Sequence, residues 1–276
     1  MATPPALTSA ELEHFVHRGY VQLRGGLPGS LTRAWVEGAE RRIAAAPERW
    51  VRRYDPGDPA RDLHGFRGDD PRTWTWERLD LEGERAYVIA DVAPRLWSAL
   101  GQLLGAHARV ATAKMYDYMA INLRDRAEYP YQPPLPGQDS WHLDDPETRM
   151  RLDNRRSAVF LIAYLSDVGP ASGGTFLAPT SLGPVARRLA AAPQGVDFVD
   201  RAAGAEISRN CGEFVELTGA AGDVAIVHAL MLHSSSANPS GRIRYMANPM
   251  IYDAQVLNFD PKVASSPVEL AVARHL

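Results

Sequence analysis

Trp141-His142-Leu143-Asp144 is the stretch whose reading decides the fold. His142 and Asp144 lie two residues apart, so on an extended strand both side chains face the same side. An imidazole beside a carboxylate suits a borderline metal such as iron(II). Two histidines and one carboxylate on one face would leave three coordination positions for other ligands. A His-x-Asp triplet by itself is also compatible with a solvated pair or a local hydrogen bond, so the reading turns on a partner elsewhere.

That partner is sought downstream. Gly222-Asp223 reads as a turn entering the apolar run Val224-Ala225-Ile226-Val227-His228. Leu230-Met231-Leu232-His233-Ser234-Ser235 follows, then Asn238 and Arg244. His228 and His233 are five residues apart, on opposite faces of a regular strand, so one ion would not take both. The residue that does not serve as ligand reads as a buried or supporting histidine.

Strand-like runs continue outward from these two anchors: 111–123, 140–143, 157–165, 174–178, 214–217, 224–232 and 244–251. With turn-rich breaks between them they predict a β-sandwich or barrel, interrupted by one helix near 185–191. Upstream, Thr8, Ser9 and Glu11 ahead of Leu12, Phe15 and Val16 predict a capped helix ended by Gly19. Tyr20 to Leu23 then alternates as a strand, Ser30 to Ala46 returns to helical spacing, and so does Val92 to Leu104. The expectation is a mainly β fold with flanking helices. It forms a single domain over 1–276: helical support over about 1–110, a β-core over about 111–255, and a loop insertion over about 48–84.

In this order the motifs resemble the phytanoyl-CoA dioxygenase-like (PhyH-type) oxygenases, over most of the chain. Leu7-Thr8, Glu11-Leu12, Phe15 and Gly19-Tyr20-Val21 look like the family's opening helix and strand. The centre supplies Trp141 to Asp144, Phe160 to Asp167 and Gly173-Gly174-Thr175-Phe176-Leu177-Ala178-Pro179. The end supplies Gly222-Asp223, His228, His233, Ser235, Asn238 and Arg244.

The resemblance implies a double-stranded β-helix, a jelly-roll core of cupin type, in which His142, Asp144 and His233 are the catalytic metal ligands for Fe(II). It implies 2-oxoglutarate and O2 as cosubstrates, with Arg244 pairing to the 5-carboxylate, a task that a planar guanidinium suits better than lysine. Ser235 and Lys114 occupy stretches where family members contact the cosubstrate. Arg242 is a rival for the salt bridge, since 242 and 244 share a face of a strand. Asp144 disfavours halogenation, because related halogenases carry a small residue there. The implied reaction couples decarboxylation of 2-oxoglutarate to succinate with oxidation of a substrate C–H bond, ending in hydroxylation, desaturation or ring closure. One departure is Pro179-Thr180-Ser181-Leu182, where the family often has Pro-Gly-Ser-His.

Composition fits this reading. The 276 residues are 45% hydrophobic and 23% charged with a formal net charge of −3, which argues against a nucleic-acid surface and for a small-molecule partner. Cys211, the single cysteine, allows no intrachain disulfide and reads as a small core residue. The start lacks a basic segment followed by an apolar one, and no stretch reaches the length of a membrane span, so the expected location is the cytoplasm. The charged run from Asp145 to Arg156 reads first as a solvated loop; if it faces the site, with Lys114, Arg124 and the aromatics between Trp50 and Trp76, it favours a polar or glycosylated substrate, hence tailoring in secondary metabolism. Two rivals remain. One is a catalytically silent protein that binds metal or 2-oxoglutarate as a sensor. The other is a cupin-like enzyme with another metal.

Overall fold

The computed structural model describes residues 5–144, 149–198 and 201–276, so the first four residues of the charged run lie outside the described residues. The N-terminal part holds α1 (Ser9–Arg18), β1 (Tyr20–Leu23), α2 (Gly29–Ala45), α3 (Pro47–Trp50), β2 (Arg78–Leu81), β3 (Ala86–Val88), α4 (Ile89–Val92) and α5 (Pro94–Leu103). The middle holds β4 (Lys114–Tyr116), β5 (Met119–Asn122), β6 (Ser157–Tyr164), β7 (Thr175–Leu177), α6 (Leu182–Ala190) and α7 (Ala202–Ser208). The chain then forms β8 (Val215–Glu216), β9 (Val224–His228), β10 (His233–Ser235), β11 (Arg244–Ala247), β12 (Met250–Tyr252) and α8 (Pro267–Ala273). Among the described residues, no helix is long and apolar enough to cross a membrane.

The opening helix forms as its sequence predicts. Thr8 accepts from the Glu11 amide, Glu11 reaches back to the Thr8 amide, and Gly19 closes the helix at φ 74°. β1 then pairs antiparallel with β9.

The main sheet has seven strands in the order β1-β9-β6-β11-β5-β2, with β12 also paired to β6. β6 lies at its centre and is buried along its whole length. Its alternation sorts side chains between two cores. Val159, Leu161 and Ala163 join the large core shared with the helices, whereas Phe160, Ile162 and Tyr164 face a smaller one with Ala225, Val227, Leu177 and Met231. A three-stranded sheet, β10-β7-β8, covers this second face, and β3-β4 form a separate pair.

This corrects the expected double-stranded β-helix. The fold is mixed α/β with three open sheets, and no closed jelly-roll ladder forms among the described residues. The strands facing β6 are only two or three residues long, too short to carry a continuous ladder around the core. The expected strand 140–143 is reduced to one bridge, His142 to His233, and the expected strand 224–232 breaks after His228. The helical share is also larger than expected, because α3, α4, α7 and α8 are four to seven residues long and too short to show a clear period. The segment 48–84 is not featureless either, since β2 lies within it and pairs with β5.

α8 is fastened by a buried ionic cluster. Glu269, 3% exposed, caps the helix through Ser266 and accepts from both terminal nitrogens of Arg109, at 3.2 and 2.9 Å. Arg109 also reaches Asp253 at 2.7 Å. Burial opposes ionisation of Glu269, yet the Arg109 and backbone hydrogen bonds win and hold its carboxyl down at about 2. A depressed folded-state pKa stabilises above the unfolded value and is lost as pH falls through the folded one. Glu269→Gln is therefore expected to cost about 3 kcal/mol near neutral pH, with the gap from wild type closing as pH drops from about 4.5 towards 2. Urea unfolding at pH 7 and pH 3 measures this; a gap unchanged at pH 3 would contradict it.

Candidate metal centre

His142 and His233 exchange both backbone hydrogen bonds: the His142 amide donates to the His233 carbonyl at 3.0 Å, and the His233 amide to the His142 carbonyl at 3.1 Å. Their ring centroids lie 4.3 Å apart. The His142 segment is irregular and is fixed by packing. Trp141 is fully buried, its indole N–H donates to the Leu135 carbonyl at 2.9 Å, and its ring lies 4.8 Å from that of Phe214. α7 passes so close that a Cβ at Gly204 would come within 2.2 Å of the Trp141 carbonyl oxygen, which explains the glycine there. On the other side, the Leu232 amide donates to the buried Ser181 hydroxyl at 3.0 Å, so the Pro179–Ser181 turn, the family departure, supports the approach to His233. The Phe160 ring packs against the His233 ring at 4.5 Å.

Asp144 completes the cluster. Its Oδ2 lies 3.2 Å from His233 Nε2 and its Oδ1 3.6 Å from His142 Nε2. Each Nδ1 faces a carbonyl, Ser140 for His142 at 2.7 Å and Met231 for His233 at 3.2 Å. A carbonyl can only accept, so Nδ1 carries the proton and each Nε2 lone pair is left facing the cluster.

Burial, and His233 next to it, push His142 down to about 4. Burial works against ionised Asp144, but the two histidines and a hydrogen bond from Asn248 hold its carboxyl far below the ordinary range. Two nitrogen donors and one anionic oxygen thus lie within 4.8 Å of one another. Donors at right angles around an ion, with bonds of about 2.0–2.2 Å, sit about 3 Å apart, close to the 3.2 and 3.6 Å between Asp144 and the two imidazoles, so the cluster suits one divalent ion.

His228 has other work. It is fully buried at the end of β9, accepts from the Leu230 amide on Nδ1 at 3.0 Å and faces the Val268 carbonyl through Nε2 at 3.2 Å. Burial holds it neutral, near 3.

Arg244 lies on the inner face of the main sheet, two residues from Met246 of the smaller core. It is 2% exposed and donates through Nη1 to the Gly173 carbonyl at 2.6 Å, while its Nε and Nη2 find no partner among the described residues. The buried Asn122 Nδ2 is likewise unpartnered, and the register places Asn122 directly between Arg244 and Arg78. Burial, then repulsion from Arg78, pull the Arg244 guanidinium down to about 9. A buried cation with free donors and no ion pair is costly, and a carboxylate would satisfy it.

The remaining candidates separate. Arg242 is exposed in the turn before β11, whereas Arg244 is the first residue of that strand and is buried. Ser235 accepts from Arg78 Nη1 at 3.1 Å. Lys114 is exposed on the separate β3-β4 pair. Cys211 is buried, which pushes its thiol up. The sequence reading missed Asn248, which follows β11 and carries no motif, and Arg78, hidden in the stretch read as a loop.

The phytanoyl-CoA dioxygenase family model matches residues 15–246. The chain belongs to this family. With two histidines and a carboxylate brought together, this family member is a non-haem, Fe(II)- and 2-oxoglutarate-dependent dioxygenase using O2. Among solved structures, EvdO2 from Micromonospora carbonacea var. aurantiaca, complexed with 2-oxoglutarate, is 18% identical, with 92% of this chain and 94% of that chain covered and a TM-score of 0.52. The apoform of EctD from S. alaskensis is 17% identical, with 92% and 79% covered and a TM-score of 0.49. No curated protein matches the sequence.

Proposed function

We propose that His142, Asp144 and His233 are the Fe(II) ligands, that Arg244 anchors the distal carboxylate of 2-oxoglutarate, and that the enzyme oxidises an unactivated C–H bond of a small polar molecule. The observation that carries this reading is the convergence of two Nε2 lone pairs and one ionised carboxylate, in a chain that also holds a buried arginine with free donors. The bound iron and 2-oxoglutarate supply the oxidising chemistry.

The chain's own residues do the rest. The Ser140 and Met231 carbonyls hold both imidazoles in the tautomer that presents Nε2. Asn248 steadies Asp144. Phe160 packs against the His233 ring and gives that side of the cluster an apolar surface. Asn122 adds a second buried donor beside Arg244. Lys114 has no part in this arrangement, and Ser235 acts through Arg78.

The polar substrate is read from a cleft walled by the 52–80 segment, Arg124 and Arg201. With no glycine-rich phosphate loop to hold a nucleotide or CoA tail, we place the enzyme in natural-product tailoring, in the cytoplasm. The test is succinate formation from 2-oxoglutarate by the purified protein. Succinate is expected to depend on added Fe(II) and O2 and to stop on chelation. Metal binding without succinate would instead make the chain a silent sensor.

A further inference from the structure

We propose that the substrate carries an anionic group, a phosphate or a carboxylate, held in the cleft by Arg53, Arg124 and Arg201. This rests on the oxygenase reading only in taking the cleft as the substrate's, and it narrows polarity to a sign of charge.

The cleft is about 920 Å³ and has six arginines in its wall against four carboxylates, in a chain whose net charge is −3. Most of the other charges are engaged. Asp58 meets Arg61 at 3.6 Å, and Arg61 stacks on Trp76 with 5.1 Å to the ring centroid. Asp80 accepts from the Tyr118 hydroxyl at 3.2 Å, and Asp55 from the Gly57 amide at 2.8 Å. Arg78 is shared between Ser235 at 3.1 Å and Asp125 at 3.9 Å, while Arg52 approaches Glu82 at 4.0 Å. Arg53, Arg124 and Arg201 form no ion pair among the described residues; Glu77 is the one wall carboxylate without a hydrogen bond or ion pair there.

Two of these arginines sit in left-handed backbone, Arg53 at φ 65° and Arg201 at φ 64°, a conformation that non-glycine residues adopt at a cost. Arg78, in the same wall, bonds Ser235, two residues past His233. One wall of the cleft thereby reaches the strand that carries His233. Guanidinium forks match the paired oxygens of a phosphate or carboxylate.

The probes are glucose 6-phosphate, glucuronate and glucose, titrated calorimetrically into the anaerobic protein with Fe(II) and saturating 2-oxoglutarate. At least one anionic sugar is expected to bind about 10- to 100-fold more tightly than glucose, and the tighter of the two names the anion. Arg53→Gln/Arg124→Gln/Arg201→Gln should remove that preference, and Arg124→Gln alone should weaken it. Arg33→Gln/Arg41→Gln/Lys262→Gln, which removes the same charge from exposed positions elsewhere, should keep it. The proposal fails if neither anion outbinds glucose, if the arginine variants bind it as wild type does, or if the control loses as much. If the anion binds while no iron–2-oxoglutarate charge-transfer band forms, the oxygenase reading falls and the anion site stands.

Discussion

His233→Ala is expected to form no visible charge-transfer band in anaerobic titrations with Fe(II) and 2-oxoglutarate that saturate the wild type, and to make no detectable succinate. Removing an outer partner of a ligand costs about 10–100-fold in metal affinity, and removing a ligand costs more. Asn248→Ala supplies that comparison. It leaves all three donors and takes away only the hydrogen bond to Asp144, so its loss should fall within the smaller range. The alanine is small enough for the site, because the backbone bridge to His142 involves no side-chain atom of residue 233. A normal band in His233→Ala would remove this residue from the site. The histidine to test next would then not be His228, whose two ring nitrogens are already occupied.

Arg244→Met is expected to weaken 2-oxoglutarate binding by about 10²-fold or more, from losing two charge-assisted hydrogen bonds at about 1.5–3 kcal/mol each. Metal binding should be unchanged, and the full band should return at high 2-oxoglutarate. Arg244→Lys should recover little, since an ammonium cannot reproduce the planar fork. The apo-protein should behave in the opposite sense. Without an anion, Arg244 is a buried cation lacking an ion pair, so methionine leaves the apo fold at least as stable as wild type. Thermal melts of the apo-proteins and the anaerobic titrations together check both halves. A destabilised apo variant with undiminished 2-oxoglutarate affinity would assign Arg244 to packing alone.

The candidate ligands were legible in the sequence because the chemistry is concentrated there: a His and an Asp two apart, and a second His at the family's distance from Asn238 and Arg244. The sheet architecture was less legible. Apolar runs such as 224–232 do not say where a strand breaks, and here the break after His228 moves the chain from one sheet to another. Parity could not separate Arg242 from Arg244; in the fold they differ in burial, with Arg242 exposed before β11 and Arg244 buried within it. Asn248 and Arg78 left no trace because their roles depend on partners far away in sequence: Asp144 for one, Ser235 for the other.

The two-way backbone bridge between His142 and His233 has a further meaning for the life of the enzyme. The spacing of the two histidine backbones is set by peptide groups, not by an ion. Iron is therefore expected to leave and return without the chain refolding around it, unlike small metal domains whose folding is the binding event. The same rigidity gives little discrimination. A cavity built in advance for one divalent ion will hold its neighbours in the transition series, and nickel or copper would occupy it more tightly than iron. What keeps this enzyme active is then the supply of metals in its surroundings, not the selectivity of the protein.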